Sequence, residues 1–346
     1  MFTIIDSLNK LKRSRKFIDS LFSLNGKIFL QNYLSLEAKF RSNKKDNFVV
    51  FIDDSLNLIS AFEKKSEKVW LCSLAGYPIL AKNNVSVKGL ENFVNKIFNG
   101  LKVDALYFPL VYRKDKIYLK LKSLSGISTW PRLPSPIIKK NFSGTVIWDK
   151  VKEHYGSRAE KQKNKFEKYL YIRPIKINEV ENIIRTVENN SWKKLYGQDM
   201  ISRGDQYKYY VNIIKNGLAD ISVCFDRKTN QPVAFRIDSL NNGILYTIKW
   251  SFDENYKKYS PGFYLITIDL FHKYLNTHLN YIDLYGSPDS LKNMVETNRL
   301  SRCDFCLSKS NYLINMIKKE RTDYDKKIYD NYIKQKSLKN LFIKNE

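Results

Sequence analysis

"YKKYSPGFYLITIDLFHKYL", residues 256–275, decides how this chain is read. Ser-Pro-Gly at 260–262 divides a basic, tyrosine-rich lead from a segment with Leu265, Ile268, Leu270, Phe271 and Leu275 at helical spacing. That spacing predicts a helix, with Ser260 as its N-cap and Pro261 at the first helical position, where a missing N–H costs nothing. Gly262 leaves room for something to approach the first turn. The free N–H groups there and the positive end of the helix dipole make an anion site. Lys257 and Lys258 add charge beside it.

Outward from this helix the grammar is antiparallel. "ISVCFDRKTNQPVAFRIDSLNNGILYTIKWSFD" (221–253) reads as three strands, Ile221–Phe225, Val233–Asp238 and Ile244–Asp253. Turns at Lys228–Gln231 and Asn241-Asn242-Gly243 separate them. After the helix, "NYIDLYGSPDSLKNMV" (280–295) is a strand, a loop and a short helix. Before the meander, "INEVENIIRTVENNSWKK" (177–194) is helical. The first half has a similar order. Strands Phe48–Ile52 and Leu58–Phe62 form a hairpin, a third strand lies in "KVWLCSLAGYPI" (68–79), and "KGLENFVNKIFNGL" (88–101) is an amphipathic helix closed by Gly100. "VDALYFPLV" (103–111) and "KIYLKLKSL" (116–124) read as further strands. "WPRLPSPII" (130–138), with three prolines, reads as a crossing segment. The repeated order predicts two copies of one mixed α+β unit rather than a doubly wound parallel sheet.

The chain has 346 residues, 43% hydrophobic and 14% aromatic, which is enough for two ordinary domains with packed cores. Lys and Arg number 60 against 35 Asp and Glu, a net charge of +25. Such an excess favours an acidic partner: nucleic acid, an acidic carrier protein, anionic lipid or a phosphate-bearing cofactor. Cys303 and Cys306 form a lone C-x-x-C, and the whole chain holds four cysteines and three histidines. A zinc ribbon needs a second pair, so no metal site is expected. No apolar run reaches 18 residues, and no transmembrane helix is expected. The first 24 residues form a basic amphipathic stretch with lysines and arginines where a signal peptide is apolar, which reads as a cytoplasmic protein. After residue 312 the sequence is highly charged, a helical tail.

These segments together resemble a known family. "NNSWKKLYG" (189–197), "QPVAFRID" (231–238), "LYTIKWSFDENYKKYSPGFYL" (245–265) and "YIDLYGSPDSLKNMV" (281–295) follow the order of CelD-like acetyltransferases. These are tandem GNAT-fold proteins related to the FemABX peptidyl-transferases. The stretch 135–170 resembles that family's middle segment with its basic helix. The likeness spans roughly residues 130–300; before that only the element order agrees. It implies two GNAT-like units with mixed, mostly antiparallel sheets, 1–140 and 141–312, the second carrying the donor site, then the charged tail 313–346. It implies an N-acyltransferase passing an acyl group from acyl-CoA, or from phosphopantetheine on an acidic acyl carrier protein, to an amine of a small molecule or peptide. The alternatives are an aminoacyl-tRNA-dependent transferase and a non-catalytic adaptor. The resemblance assigns the donor to Lys257, Lys258, Tyr259, Ser260, Gly262 and Phe263. It assigns the acceptor side to Trp192, Lys193 and Lys292, with Asp283 serving the amine; the residues themselves add Lys249 on the acceptor side and Tyr285 as the acid for the thiolate. The helix start departs from the usual glycine-rich phosphate loop, having one glycine and a proline that removes a donor. Lys249 stands in an otherwise apolar strand, where a buried ammonium must pair or lose its charge.

Overall fold

A computed structural model describes residues 1–25, 33–43, 47–74, 77–81, 84–139, 144–195, 197, 199–203, 206–241, 243–274, 277–286, 289–324 and 326. The strands are β1 Phe2–Ile5, β2 Phe48–Asp53, β3 Leu58–Lys64, β4 Val69–Cys72, β5 Leu80–Ala81, β6 Ala105–Tyr112 and β7 Ile127–Pro131, then β8 Ser135–Lys139, β9 Leu170–Ile172, β10 Asp220–Asp226, β11 Pro232–Asn241, β12 Ile244–Phe252, β13 Tyr281–Asp283 and β14 Asn298–Leu300, and finally β15 Arg302–Ser308. They form two mixed sheets. One runs β1-β2-β3-β4-β6-β15-β7 with β5 against β3, and the other runs β14-β8-β13-β12-β11-β10-β9. Pairing is antiparallel except at β4–β6 and β12–β13, among the pairs described.

The chain divides into two compact units. The first holds Met1–Ser135, Gly286–Ser290 and the described residues from Leu300 onward; the second holds Pro136–Tyr285 and Leu291–Arg299. Each has the same core sequence of elements. In the first, β2, β3 and β4 precede the helix Val87–Leu101 and then β6, parallel to β4. In the second, β10, β11 and β12 precede the helical run from Pro261 to Tyr274 and then β13, parallel to β12. The two-unit, mostly antiparallel α+β architecture is therefore as the sequence implied.

Residues 300–312, assigned by sequence to the second unit, go with the first. β15 lies between β6 and β7 there. A buried network fastens it: the Asp304 carboxylate takes bonds from the Tyr107 hydroxyl, the Leu110 N–H (2.7 Å) and the Arg132 guanidinium (2.6 Å). Alternation puts Cys303, Phe305 and Leu307 in the main core and Cys306 on the opposite face, as the C-x-x-C reading expected. All four cysteines are free and buried. The start of the charged tail is a helix over 311–324, anchored on Tyr107, Trp130 and Cys306 by Leu313, Ile314 and Ile317. The rest of the 313–346 tail lies outside the described residues, residue 326 apart.

Three local expectations change. "KIYLKL" is a helix, Lys116–Leu121, because Asp115 accepts the Tyr118 N–H at 2.8 Å and caps it. The proline-rich crossing segment supplies two strands, β7 and β8, one to each sheet. The helix Val87–Leu101 ends on Lys102 in the left-handed region, not on Gly100. A Cβ on Gly100 would meet Ile4 at 3.0 Å and Phe51 at 3.1 Å, so that glycine serves packing.

The decisive helix begins at Pro261, as predicted, but Ser260 does not cap it by side chain. Ser260 sits in the left-handed region (φ 51°), ends the 3₁₀ turn Glu254–Tyr259, and turns its hydroxyl to Gln162 at 3.3 Å. Further along, Leu265–Asp269 form a π turn. Arg236 of β11, fully buried, fills it. Its guanidinium donates to the Leu265 carbonyl and lies 2.8 Å from Asp238 and 3.0 Å from Asp269. The group that approaches Gly262 is the Trp250 indole: a Cβ there would stand 3.0 Å from Cζ3. Overfilling a packed contact costs roughly 1–3 kcal/mol. Gly262→Val is therefore expected to lower unfolding stability by about that amount in chemical denaturation, where an open helix start would leave it unchanged.

Candidate active site

The site grows from β12. Its ring at Trp250 packs on Gly262, while Lys249 places its ammonium 5.9 Å from the Tyr210 ring centre. Neighbouring residues of a strand point to opposite faces, so the helical run 261–274 covers one face and the helices Val180–Asn189 and Tyr207–Lys215 the other. β12 and β13 pair only at Ile244–Tyr281, Leu245–Ile282 and Tyr246–Asp283. Beyond Tyr246, β12 continues to Phe252 with no β13 beside it. The register against β11 shifts at Ile237/Asp238, leaving Ile248 as an extra, bulged residue at the mouth of this gap. Asp253 donates its N–H to Val233, so the antiparallel alternation turns the Trp250 N–H and carbonyl away from β11, toward the gap. In the first unit the β4–β6 pairing likewise stops after three residues, but there β4 outruns it by Cys72 alone and it is β6 that continues, to Tyr112.

Lys193, on the short helix Trp192–Leu195, addresses this open edge. Its Nζ donates to the Trp250 carbonyl at 2.6 Å and lies 3.7 Å from Glu188. Glu188 is fully buried; one oxygen accepts the Met200 N–H at 2.7 Å, and the other has no hydrogen bond among the described residues. Burial pulls the Lys193 ammonium down to about 8, and the nearby Lys249 and Lys292 charges push the same way against the pull of Glu188. Burial also lowers Lys249, opposed by Glu188.

On the far side of the gap, Asp283 ends β13 with no exposure and accepts the Tyr285 N–H at 2.9 Å. Tyr285 has φ 44°, and its carbonyl takes the Lys292 ammonium at 2.8 Å. Asp283, Tyr285 and Lys292 thus form one linked turn, and Lys193, Lys249 and Lys292 converge electrostatically. Trp192 opens the short helix Trp192–Leu195, which Asn190 and Ser191 separate from Val180–Asn189 where one helix was expected, and its side chain falls outside what is described. The donor residues do not form one cradle. Lys257 pairs with Glu254 at 2.5 Å, Phe263 packs edge-on against Trp148 and Tyr155, and Gly262 is under Trp250. Lys258 and Lys165 flank the Tyr259 ring at 5.0 and 5.7 Å. With Pro261 lacking an N–H and Tyr264 bonded to Ser260, the helix start offers the Gly262 and Phe263 donors.

Sequence reasoning missed Glu188 and Asp199. Glu188 follows Ile184 by four residues on the apolar face of its helix, which is a legible signal. Asp199 is buried and caps the turn after the SWK segment through the Ile201 and Ser202 N–H groups.

No family pattern and no curated protein matches the sequence. Among solved structures, a conserved protein of unknown function from Bacteroides thetaiotaomicron VPI-5482 superposes with a TM-score of 0.59 at 11% identity, covering 89% of this chain and 100% of that one. A tandem GNAT protein of the clavulanic acid biosynthesis pathway gives 0.54 at 8% identity over 90% and 98%. FemX gives 0.55 at 9% over 91% and 99%. The chain has a tandem GNAT fold. At these identities the likeness is one of fold.

The depressed Lys193 has a stability signature. An unfolded lysine binds its proton more tightly than this one, so the folded state gains stability as pH rises from about 8 toward the ordinary lysine value, by up to about 3 kcal/mol. Lys193→Met removes this dependence. Between those pH limits, the stability of the native chain is expected to rise relative to the variant in denaturant titrations, and two parallel curves would contradict the burial of Lys193.

Proposed function

We propose that the chain is a GNAT-type N-acyltransferase whose thioester donor lies in the gap between β12 and β13. One observation carries this reading: the pairing of two parallel strands stops after three residues and leaves backbone donors and acceptors of β12 unused by a strand. A pantetheine arm carries amides that satisfy such an edge as a strand does. Its phosphates then extend to the helix start at Pro261, beside Lys257 and Lys258. Acyl transfer needs an amine relieved of its proton, a polarised carbonyl and a proton for the leaving thiolate. The amine nitrogen attacks the thioester carbon, the C–S bond breaks, and the thiol leaves with a proton. Lys193, with its pKa near 8, is suited to move that proton at neutral pH. Asp283, buried and bonded to the Tyr285 N–H, shapes the turn that presents Tyr285 and Lys292.

The test is thioester-dependent acylation of an amine panel, with acetyl-CoA and acetyl-phosphopantetheinyl carrier protein as donors. Lys193→Met is expected to lower turnover by roughly 10²-fold while donor affinity holds. Asp283→Asn is expected to keep most of the transfer, since an amide oxygen accepts the same N–H. The absence of both donor binding and transfer with either thioester would reject the reading.

One observation favours a second donor, an aminoacyl-tRNA. The exposed basic face of the helix Ser157–Tyr169, with Arg158, Lys161, Lys165 and Lys168, packs beside the turn that leads into Pro261. Salt separates the two. Each phosphate neutralised on a single strand contributes a slope of about 0.7 in log affinity against log salt. A small thioester is expected to give a shallow response, and a slope equal to several phosphates would assign the donor to RNA.

A further inference from the structure

We infer that the acceptor is an amine that also bears an oxyanion, of the class of amino acids and aminoalkyl phosphates. This rests on the acyl-transfer reading for the amine and on independent geometry for the oxyanion. The polar groups on the helix-180 and helix-207 face of β12 do not balance. Lys249 has its ammonium over the Tyr210 ring and, among the described residues, neither a hydrogen bond nor an ion pair. The acids near it are engaged elsewhere: Asp199 accepts two backbone N–H groups, and Glu188 accepts the Met200 N–H and faces Lys193. Arg203 adds a further positive charge close enough to depress Lys249.

Glu188 and Asp199 reach Lys249 only through space, without a hydrogen bond or ion pair, and an oxyanion seated on this partly buried cation offsets the rest of its desolvation cost. The same cluster holds the complement for an amine. Among the described residues, Glu188 Oε1, 3.7 Å from the Lys193 ammonium, and Asp199 Oδ2 are buried carboxylate oxygens without a hydrogen bond. An ammonium at Glu188 stands next to Lys193, which bonds the open edge where the thioester would lie. Cation site and anion site thus lie side by side, as the two ends of a short zwitterion require. Neither an uncharged amine nor a free anion uses both.

The experiment is calorimetric binding to the full chain, without donor, in matched pairs: the twenty amino acids against their α-amides, and phosphoethanolamine against ethanolamine. A charge-assisted hydrogen bond is worth about tenfold or more in affinity. The expected result is that one charged series binds at least about tenfold more tightly than its neutral partners, that Lys249→Met abolishes the difference, and that the surface control Lys228→Met retains it. Preference for the amino acids assigns a carboxylate, and preference for phosphoethanolamine assigns a phosphate. Equal binding of charged and neutral partners, or a preference that survives Lys249→Met, overturns the inference. Acylation is then read on the same ligands. A zwitterion that binds through Lys249 yet is never acylated by either thioester leaves this inference standing and removes the acyl-transfer reading instead.

Discussion

Trp250 holds the second unit's site together. Its indole closes on Gly262 and so sets how near the helical run 261–274 lies to the sheet. Its backbone, turned away from β11, is the open edge that Lys193 bonds. One residue therefore couples the helix start, on one face, to the lysine and carboxylate cluster on the other. The buried Arg236 works beside it, on the same face of β11, bonding into the π turn and pairing with two aspartates. Removing one partner from such a buried group leaves an uncompensated charge, so the helix cannot slide without a large penalty.

The two units show how a repeated plan diverges. In the first, Ser86 caps its helix by side chain, with the Gly89 N–H donating at 3.1 Å. Its β4 ends almost where β6 pairing ends. In the second, the serine before the helix is left-handed and uncapping, and the strand runs on past its partner. An open edge inside a sheet is a standing cost in unused hydrogen bonds. Among the described residues the long overhang falls on β12 in the second unit and on β6 in the first, and the functional reading rests on the β12 overhang, which Lys193 bonds.

The sequence made the meander, the helix at Pro261 and the two-unit order legible, because alternation and helical spacing are local signals. It misread Lys116–Leu121 because "KIYLKL" alternates like a strand while the deciding bond comes from Asp115, one residue upstream. It misplaced residues 300–312 because β15 chooses its sheet through partners nearly two hundred positions away, such as Tyr107 and Leu110. It named Lys193, Lys249 and Lys292, but their electrostatic convergence appears only when the helices are placed on the sheet. It treated Gly262 as an opening for a ligand, whereas a ring of the protein itself fills that space. Asp283 shows the limit of strand alternation: turning away from Ile282 and Leu284 did not bring it to solvent, since it is fully buried and accepts the Tyr285 N–H.

The central claim is that the donor's arm lies along the open edge of β12. Backbone amide chemical shifts of the isotopically labelled chain, titrated with acetyl-CoA and with acetyl-pantetheine, test it most directly. The account predicts saturable shifts for the amides of Ile248, Trp250 and Phe252 with both ligands, and added shifts at Gly262 and Phe263 with acetyl-CoA alone. Shifts confined to the first unit, at the Ser86–Gly89 helix start and β4, would contradict it.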